Sequence, residues 1–321
     1  MSKVLKIVLI VIPVIFVLVS VIGGIYMLNV ALAPPRDNDM HYDYAKSESQ
    51  FRENYQFQTS WLDSLQSAGA IKDTTIISQT GERLVAHYIY APEPTDKTAV
   101  LIHGYTDCYW RMMMFAYLYN RELGYNVLLP DHYAHGMSEG DHIRMGWFDR
   151  LDCMKWMDVA NEIFGGENGT QMVVHGVSMG AATTMMISGE ENRPYVKCFV
   201  EDCGYTSVWD EFSNELKRSF GLPAFPILYA ADLFCKIKYG WSFKEASAIE
   251  QVAKSTLPML FIHGDTDDFV PTEFVYPLYD AKVNGDKEIW LTKGVKHAES
   301  YYTYPDEYTH RIKEFVGRYI H

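Results

Sequence analysis

The chain has 321 residues, 48% hydrophobic and 14% aromatic, which excludes a disordered polymer and leaves room for one large α/β domain or two small ones with a sizeable core. Its formal net charge of −13 excludes a phosphate-neutralising surface, which needs clustered Lys and Arg, so nucleic acid is set aside as a partner. Residues 7–33 carry no charged side chain, a run longer than the ~20 residues that cross a bilayer core and about twice a signal-peptide h-region. This predicts an uncleaved membrane anchor, residues 1–36. Ala31-Leu32-Ala33 has the small residues of a cleavage site, but the Pro34 that follows makes it a poor one. Lys3 and Lys6 precede the run, and Arg36, Asp37 and Asp39 follow it. The positive-inside bias then puts the N-terminus in the cytoplasm and the rest of the chain on the extracytoplasmic side.

A polar segment with scattered aromatic residues, 37–70, comes next. Phe51, Tyr55, Leu62 and Leu65 recur at near-helical spacing, which predicts one or two amphipathic helices packed on the body or lying at the membrane face. Residues 71–321 then read as the main domain. Strands are expected at 74–78 and 84–90 around a turn at 79–81. From there strands (99–102, 127–129, 172–174, 198–200, 259–262, 288–291) alternate with helices (109–123, 147–164, 181–188, 272–283, 306–319), the signature of a mostly parallel sheet covered on both faces. The alternation breaks once, at 204–256. A structureless loop of about fifty residues is improbable in a compact domain, so this insertion is expected to be a small helical cap over the strand ends.

Five cysteines, Cys108, Cys153, Cys198, Cys203 and Cys235, are an odd number without metal-ligand spacing. They imply no disulfide framework, although a Cys198 to Cys203 bridge is conceivable. Met112-Met113-Met114 reads as helix and core, and no His, Cys and carboxylate set has zinc spacing. No metal and no cofactor are expected.

The chemistry converges on Val173-Val174-His175-Gly176-Val177-Ser178-Met179-Gly180-Ala181-Ala182. This is a β-branched run broken by Gly-x-Ser-x-Gly and continued by helix formers, a strand, sharp turn and helix with Ser178 at the apex. A serine nucleophile needs a base oriented by a carboxylate, and for an elbow of this kind the chain order is Ser, acid, His. After strand 259–262 stands His263-Gly264-Asp265-Thr266-Asp267-Asp268, and after the last strand Gly294-Val295-Lys296-His297. His297 is the candidate base; Asp265, Asp267 and Asp268 are candidate acids, with Asp202 at the end of strand 198–200 as a further rival. Acyl transfer also needs two N–H donors for the developing oxyanion. Met179, directly after Ser178, and Tyr105, in the loop His103-Gly104-Tyr105 after strand 99–102, are the candidates. His103 and His135 are expected to shape loops at the rim.

On these features the chain resembles the α/β-hydrolase superfamily, in the serine hydrolase group of serine aminopeptidase-like, monoacylglycerol-lipase-like and membrane-anchored BEM46-like proteins. The resemblance runs from about Ile76 to the C-terminus. It rests on His103-Gly104, on Pro130-Asp131-His132-Tyr133-Ala134-His135-Gly136-Met137-Ser138-Glu139-Gly140, which is similar to the family's Asp-x-Arg-Gly-His-Gly-x-Ser stretch, on the Ser178 elbow, on His263-Gly264-x-x-Asp267-x-x-Val270-Pro271 and on His297. It implies an α/β-hydrolase fold and chooses Asp267 as the acid. Tyr133-Ala134 departs from the family's Arg-Gly. The implied activity is hydrolysis of an ester, thioester or amide through an acyl-enzyme on Ser178, with a small acyl ester or a short peptide as substrate. Two rivals stand beside an esterase. One is an aminopeptidase-type serine peptidase using Asp210, Glu211 or Glu215 to hold an amine; the other is a catalytically silent surface protein of the same fold.

Overall fold

The computed structural model describes residues 3–35 and 43–321. Arg36, Asp37 and Asp39 and the side chains of Lys3 and Lys6, which set the charge asymmetry about the anchor, lie outside the described residues. The chain forms two compact units. One joins the N-terminal helix α1 (Lys3–Ala31) to Ser207–Ser247; the other holds everything else.

The larger unit begins with two short helices, α2 (Tyr44–Asn54) and α3 (Thr59–Ser67). Asp43 caps α2 by accepting from the Lys46 amide at 2.9 Å. Phe51, Tyr55, Trp61 and Leu62 then bury one face of the segment in the same core as Trp110 and Phe115, so these amphipathic helices pack on the body.

The sheet strands are β1 (Lys72–Ile77), β2 (Arg83–Ile89), β3 (Lys97–Ile102), β4 (Asn126–Pro130), β5 (Gln171–Val177), β6 (Val196–Asp202), β7 (Met259–Gly264) and β8 (Lys287–Thr292). Their spatial order is β1-β2-β4-β3-β5-β6-β7-β8. β1 pairs antiparallel with β2, and β2 with β4; every other pair is parallel. The mostly parallel sheet expected from the alternation is therefore present. Central strands β4 and β7 are buried throughout their length, as a parallel sheet clothed on both faces requires. Edge strands β1 and β8 are half exposed. The chain leaves β3 on one side for β4 and returns on the other as β5. That reversal opens a crevice at the carboxyl ends of β3 and β5, where open α/β sheets bind ligands.

Clothing the sheet are α4 (Tyr109–Ala116), α5 (Asp149–Phe164), α6 (Met179–Ser188) and, after the smaller unit's α7 (Val208–Phe220) and α8 (Ile227–Tyr239), the helices α9 (Ala248–Val252), α10 (Val275–Ala281), α11 (Ser300–Thr303) and α12 (Pro305–Val316). Two departures from the expected helices have local causes. The helix expected at 109–123 widens after Ala116 into a π-helical turn, Tyr117–Glu122, where the Leu123 amide reaches back to the Leu118 carbonyl. The extra residue lets Tyr119 and Asn120 both turn inward, each 2% exposed or less. The helix expected from 272 begins as a 3₁₀ turn, Thr272–Phe274, and becomes α-helical at Val275. Pro277, with no N–H to donate, thereby falls in the first turn of α10, where none is needed.

In the smaller unit, Ser207 caps α7 by accepting from the Asp210 amide at 3.0 Å. α7 and α8 close on Gly221 and Gly240 in the left-handed conformation. The insertion is thus helical, as its length required. Among the described residues all five cysteines are buried and none forms a disulfide.

Candidate active site

Ser178 stands between β5 and α6 with φ 58° and ψ −119°, a conformation disfavoured for a residue with a Cβ. Close packing on both sides imposes it. A Cβ on Gly176 would fall 2.0 Å from the Gly180 carbonyl oxygen, and one on Gly180 would fall 2.0 Å from that of Ile102. Only glycine lets strand, elbow and helix approach this closely. The Ser178 amide donates to the Asp202 carbonyl at 2.8 Å and its carbonyl accepts from Ala182 at 3.0 Å, so the elbow is hydrogen-bonded on both sides.

The hydroxyl of Ser178 lies 2.8 Å from Nε2 of His297, and Nδ1 of His297 lies 2.7 Å from Oδ2 of Asp267. These three residues come from the ends of β5, β7 and β8. Asp267 also accepts at Oδ1 from the amides of Phe269 and Val270, both at 3.0 Å, and its Oδ2 is 3.3 Å from Nε2 of buried His263. Burial works against its charge, but hydrogen bonds from His263 and His297 hold its pKa below the ordinary carboxylate value. The carboxylate stays ionised and fixes the imidazole with Nδ1–H donating to it and Nε2 facing the hydroxyl. An arrangement of this kind can take the serine proton as the oxygen attacks a carbonyl.

Of the rival acids, Asp265 and Asp202 have other partners. Asp265 is exposed and accepts from the Gly294 amide at 2.5 Å, while Thr266 donates to the Val295 carbonyl at 2.8 Å. Together they pin the acid loop to the loop bearing His297. Asp268 is exposed. Asp202 is buried and accepts from the Tyr308 hydroxyl at 2.9 Å. His175, between the hydroxyls of Tyr119 and Tyr308 at 3.2 and 3.1 Å, is a satisfied core histidine.

Tyr105 lines a cleft of about 320 Å³ together with Ser178 and His297, and Met179 is the first residue of α6. Gly104 passes so close that a Cβ there would be 3.3 Å from that of Ser178. His103 shapes this loop, its Nδ1–H donating to the Gly104 carbonyl at 2.8 Å while Nε2 accepts from the His132 amide at 3.0 Å. His135 bonds the Tyr133 carbonyl at 2.9 Å. The Asp131 carboxylate accepts from the Tyr109 and Met137 amides at 2.9 and 3.0 Å, tying the stretch that follows β4 to the start of α4. Ala134 keeps a positive φ of 63° where glycine was expected, and the Arg144 guanidinium stacks on Tyr133, 3.2 Å from its ring centre.

Composition alone did not reveal the cleft's other wall. Met112, Met114, Phe115 and Phe269 make it apolar, and Asp107 and Arg111 set a charged pair into it, 3.6 Å apart. The signal was the i, i+4 spacing of Asp107 and Arg111 just after the His103-Gly104 loop. Asp210, Glu211 and Glu215, the amine holders considered from sequence, are on α7. There Asp210 accepts from the Ser207 hydroxyl and Glu215 from the Arg218 guanidinium.

The Bacillus subtilis (strain 168) protein YqkD is 30% identical over 230 residues, 71% of this chain and 74% of that one. Residues 93–218 match the family described as serine aminopeptidase, S33. The Pyrococcus furiosus esterase Pf2001 superposes with a TM-score of 0.63 at 25% identity, covering 78% of this chain and 93% of its own. The chain belongs to the α/β-hydrolase superfamily. The Butyrivibrio proteoclasticus protein Est1E, solved with ferulic acid, shares the hydrolase fold at 21% identity and a TM-score of 0.59, over 77% of this chain and 98% of that one.

Near the end of β6 the hydrolase also buries the carboxyl of Glu201. Oε2 of Glu201 accepts from the Gly204 amide at 3.0 Å, and Oε1 has no partner among the described residues. Burial pushes its pKa up to about 8, against the opposing influence of His263. The folded chain therefore holds a proton that the unfolded chain releases near 4.5, and stability falls as pH rises from there to about 8. Asp202, raised by burial to about 6, acts with the same sign in a lower window. Buried His103, His132 and His175, whose pKa values burial lowers, act with the opposite sign up to about pH 6.5, so the Glu201 contribution is isolated above that. Melting temperature should fall between about pH 6.5 and 8 by the equivalent of about 2 kcal/mol, and Glu201→Gln should flatten that decline. An unchanged slope in the variant would remove Glu201 from the account.

Proposed function

We propose that this hydrolase is a serine esterase. Ser178 attacks the carbonyl of a carboxylic ester, His297 takes its proton and returns it to the leaving alcohol, and Asp267 holds the imidazole tautomer. The Met179 and Tyr105 amides stabilise the oxyanion, and water releases the acyl-enzyme. The observation that carries this reading is the continuous relay from a serine on a strained elbow, through 2.8 and 2.7 Å contacts, to a carboxylate held ionised. Apolar walls of methionine and phenylalanine favour a lipophilic or aromatic acyl group of modest size, in a cleft at the small end of the ligand-pocket range. A fluorophosphonate probe should label the folded wild type at Ser178 and leave Ser178→Ala unlabelled. Equal labelling of both, or of neither, sinks the proposal; labelling of neither would favour a silent member of the fold.

A peptidase reading has one specific support, the Asp107 carboxylate in the cleft, suited to an α-ammonium group. Comparing p-nitrophenyl esters with aminoacyl p-nitroanilides separates the two. Preference for the anilides, lost in Asp107→Asn, would replace the esterase.

We also propose that α1 is a membrane anchor, because its 23-residue apolar stretch Leu9–Ala31 is left largely uncovered by protein, with its N-terminus in the cytoplasm, because Lys3 and Lys6 precede that stretch in the sequence. Release of the protein by an alkaline wash of membranes would contradict the anchor. For its orientation, shielding of the body from protease on intact cells would be the contrary result.

A further inference from the structure

The helix read as an anchor packs lengthwise on a helix of the inserted segment, and the positions of their contacts have a consequence for depth. Gly23 and Gly24 of α1 lie against the start of α8. A Cβ added to Gly24 would stand 2.6 Å from that of Ala230, and one on Gly23 would stand 3.3 Å from Ile227. Small residues allowing this approach are typical of helix contacts within membranes. Further towards the N-terminus, the ring of Phe16 is 6.0 Å from that of Phe225.

A helix needs about 20 apolar residues to cross the hydrocarbon core. Counted from Leu9, the start of the apolar stretch, such a crossing reaches about Leu28. Phe16, Gly23 and Gly24 fall inside it, so α1 cannot span the core without taking the beginning of α8 and the loop before it to membrane depth. Their surface suits that place. Phe220, Leu222 and Phe225 in and beside the loop are exposed, and Tyr229, Leu233 and Ile237 form an exposed i, i+4, i+8 stripe along α8, up to 71% accessible at Ile237. Leu228, Ala231 and Cys235, on another face of α8, are buried. This apolar surface is continuous with α1 through the Phe16 and Phe225 contact. Lys217 occupies the last turn of α7 beside the loop and Lys238 the last turn of α8, while Arg218 and Lys236 in the same turns pair with Glu215 and Glu245; long cationic side chains such as Lys217 and Lys238 reach from apolar surroundings to lipid headgroups.

We propose that the loop from Phe220 to Phe225 and the outer stripe of α8 are embedded in the lipid bilayer beside α1, so that the inserted helical segment is itself a membrane-binding element. The proposal rests on α1 being the anchor. Depth-resolved quenching tests both and tells them apart. Full-length protein with Phe225→Cys, Leu233→Cys, Val14→Cys or Asp280→Cys is labelled with an environment-sensitive fluorophore, the native cysteines being buried, and reconstituted into phosphatidylcholine vesicles containing doxyl-labelled lipid. The Val14, Phe225 and Leu233 labels should all be blue-shifted and quenched, Leu233 at a shallower depth than Phe225 because it lies beyond Ala230 towards the Leu28 end of the crossing, and the label at Asp280, exposed on α10, should not. Quenching at Val14 with Phe225 and Leu233 as unquenched as Asp280 overturns the embedded segment and leaves the anchor standing. Absence of quenching at all four overturns both.

Discussion

Ser178→Ala should lower kcat for ester hydrolysis by about 10⁵ to 10⁶, and adding His297→Ala should lower it scarcely further. The reason lies in the shared proton. The hydroxyl and Nε2 of His297, 2.8 Å apart, act on one transfer, so once either partner is gone the other has no function left to lose. A residual acceleration of about 10³ over water is expected in both variants, because amides such as those proposed for Met179 and Tyr105 do not depend on either side chain. Initial rates on p-nitrophenyl butyrate, normalised to folded protein by circular dichroism, provide the check. Multiplicative losses in the double variant, or a Ser178→Ala enzyme within tenfold of wild type, would show that the two groups do not form a unit. Ser178→Ala is also a mild test of folding, since the elbow is set by Gly176, Gly180 and backbone bonds to Asp202 and Ala182 and not by the hydroxyl.

The fold was legible where one physical demand dominated a stretch. Buried parallel strands need an apolar run, and the central stretches of β3 through β7 read that way; the Gly-x-Ser-x-Gly elbow is visible because two close backbone approaches tolerate nothing else. Less legible were features set by partners distant in sequence. The π-helical turn at Tyr117–Glu122 serves the burial of Tyr119 against His175 and of Asn120 against Trp61, more than fifty residues away in each direction. The packing of α1 on α8 joins segments about two hundred residues apart, and nothing in the periodicity of either announces it. Within the candidate site, chain order nominated Ser178 and His297, which stand in hydrogen-bond contact. The carboxylate remained open on spacing alone, because Asp265, Asp267 and Asp268 share one loop and their roles depend on which amides each one meets.

That choice yields the second large effect. Asp267→Asn should lower kcat by about 10⁴ with little change in KM, while Asp202→Asn, Asp265→Asn and Asp268→Asn should each stay within about tenfold of wild type. An asparagine at 267 keeps the volume and an oxygen for the Phe269 and Val270 amides, but an amide nitrogen facing His297 can donate to Nδ1. It then favours the tautomer with its proton on Nε2, the wrong nitrogen for accepting from Ser178. The charge that steadies an imidazolium is lost as well. Asp202 is the instructive control because it is buried in the same part of the molecule, its backbone carbonyl holds the Ser178 amide, and its carboxyl bonds Tyr308 instead of His297. Asp202→Asn keeps the backbone contact and can still accept from Tyr308. A 10⁴ loss there with Asp267→Asn near wild type would move the acid from β7 to β6. Raising the pH separates a tautomer effect from a folding defect. If the Asp267→Asn chain is folded but mis-tautomerised, its melting transition stays close to wild type and part of its rate returns as hydroxide in solution takes the serine proton.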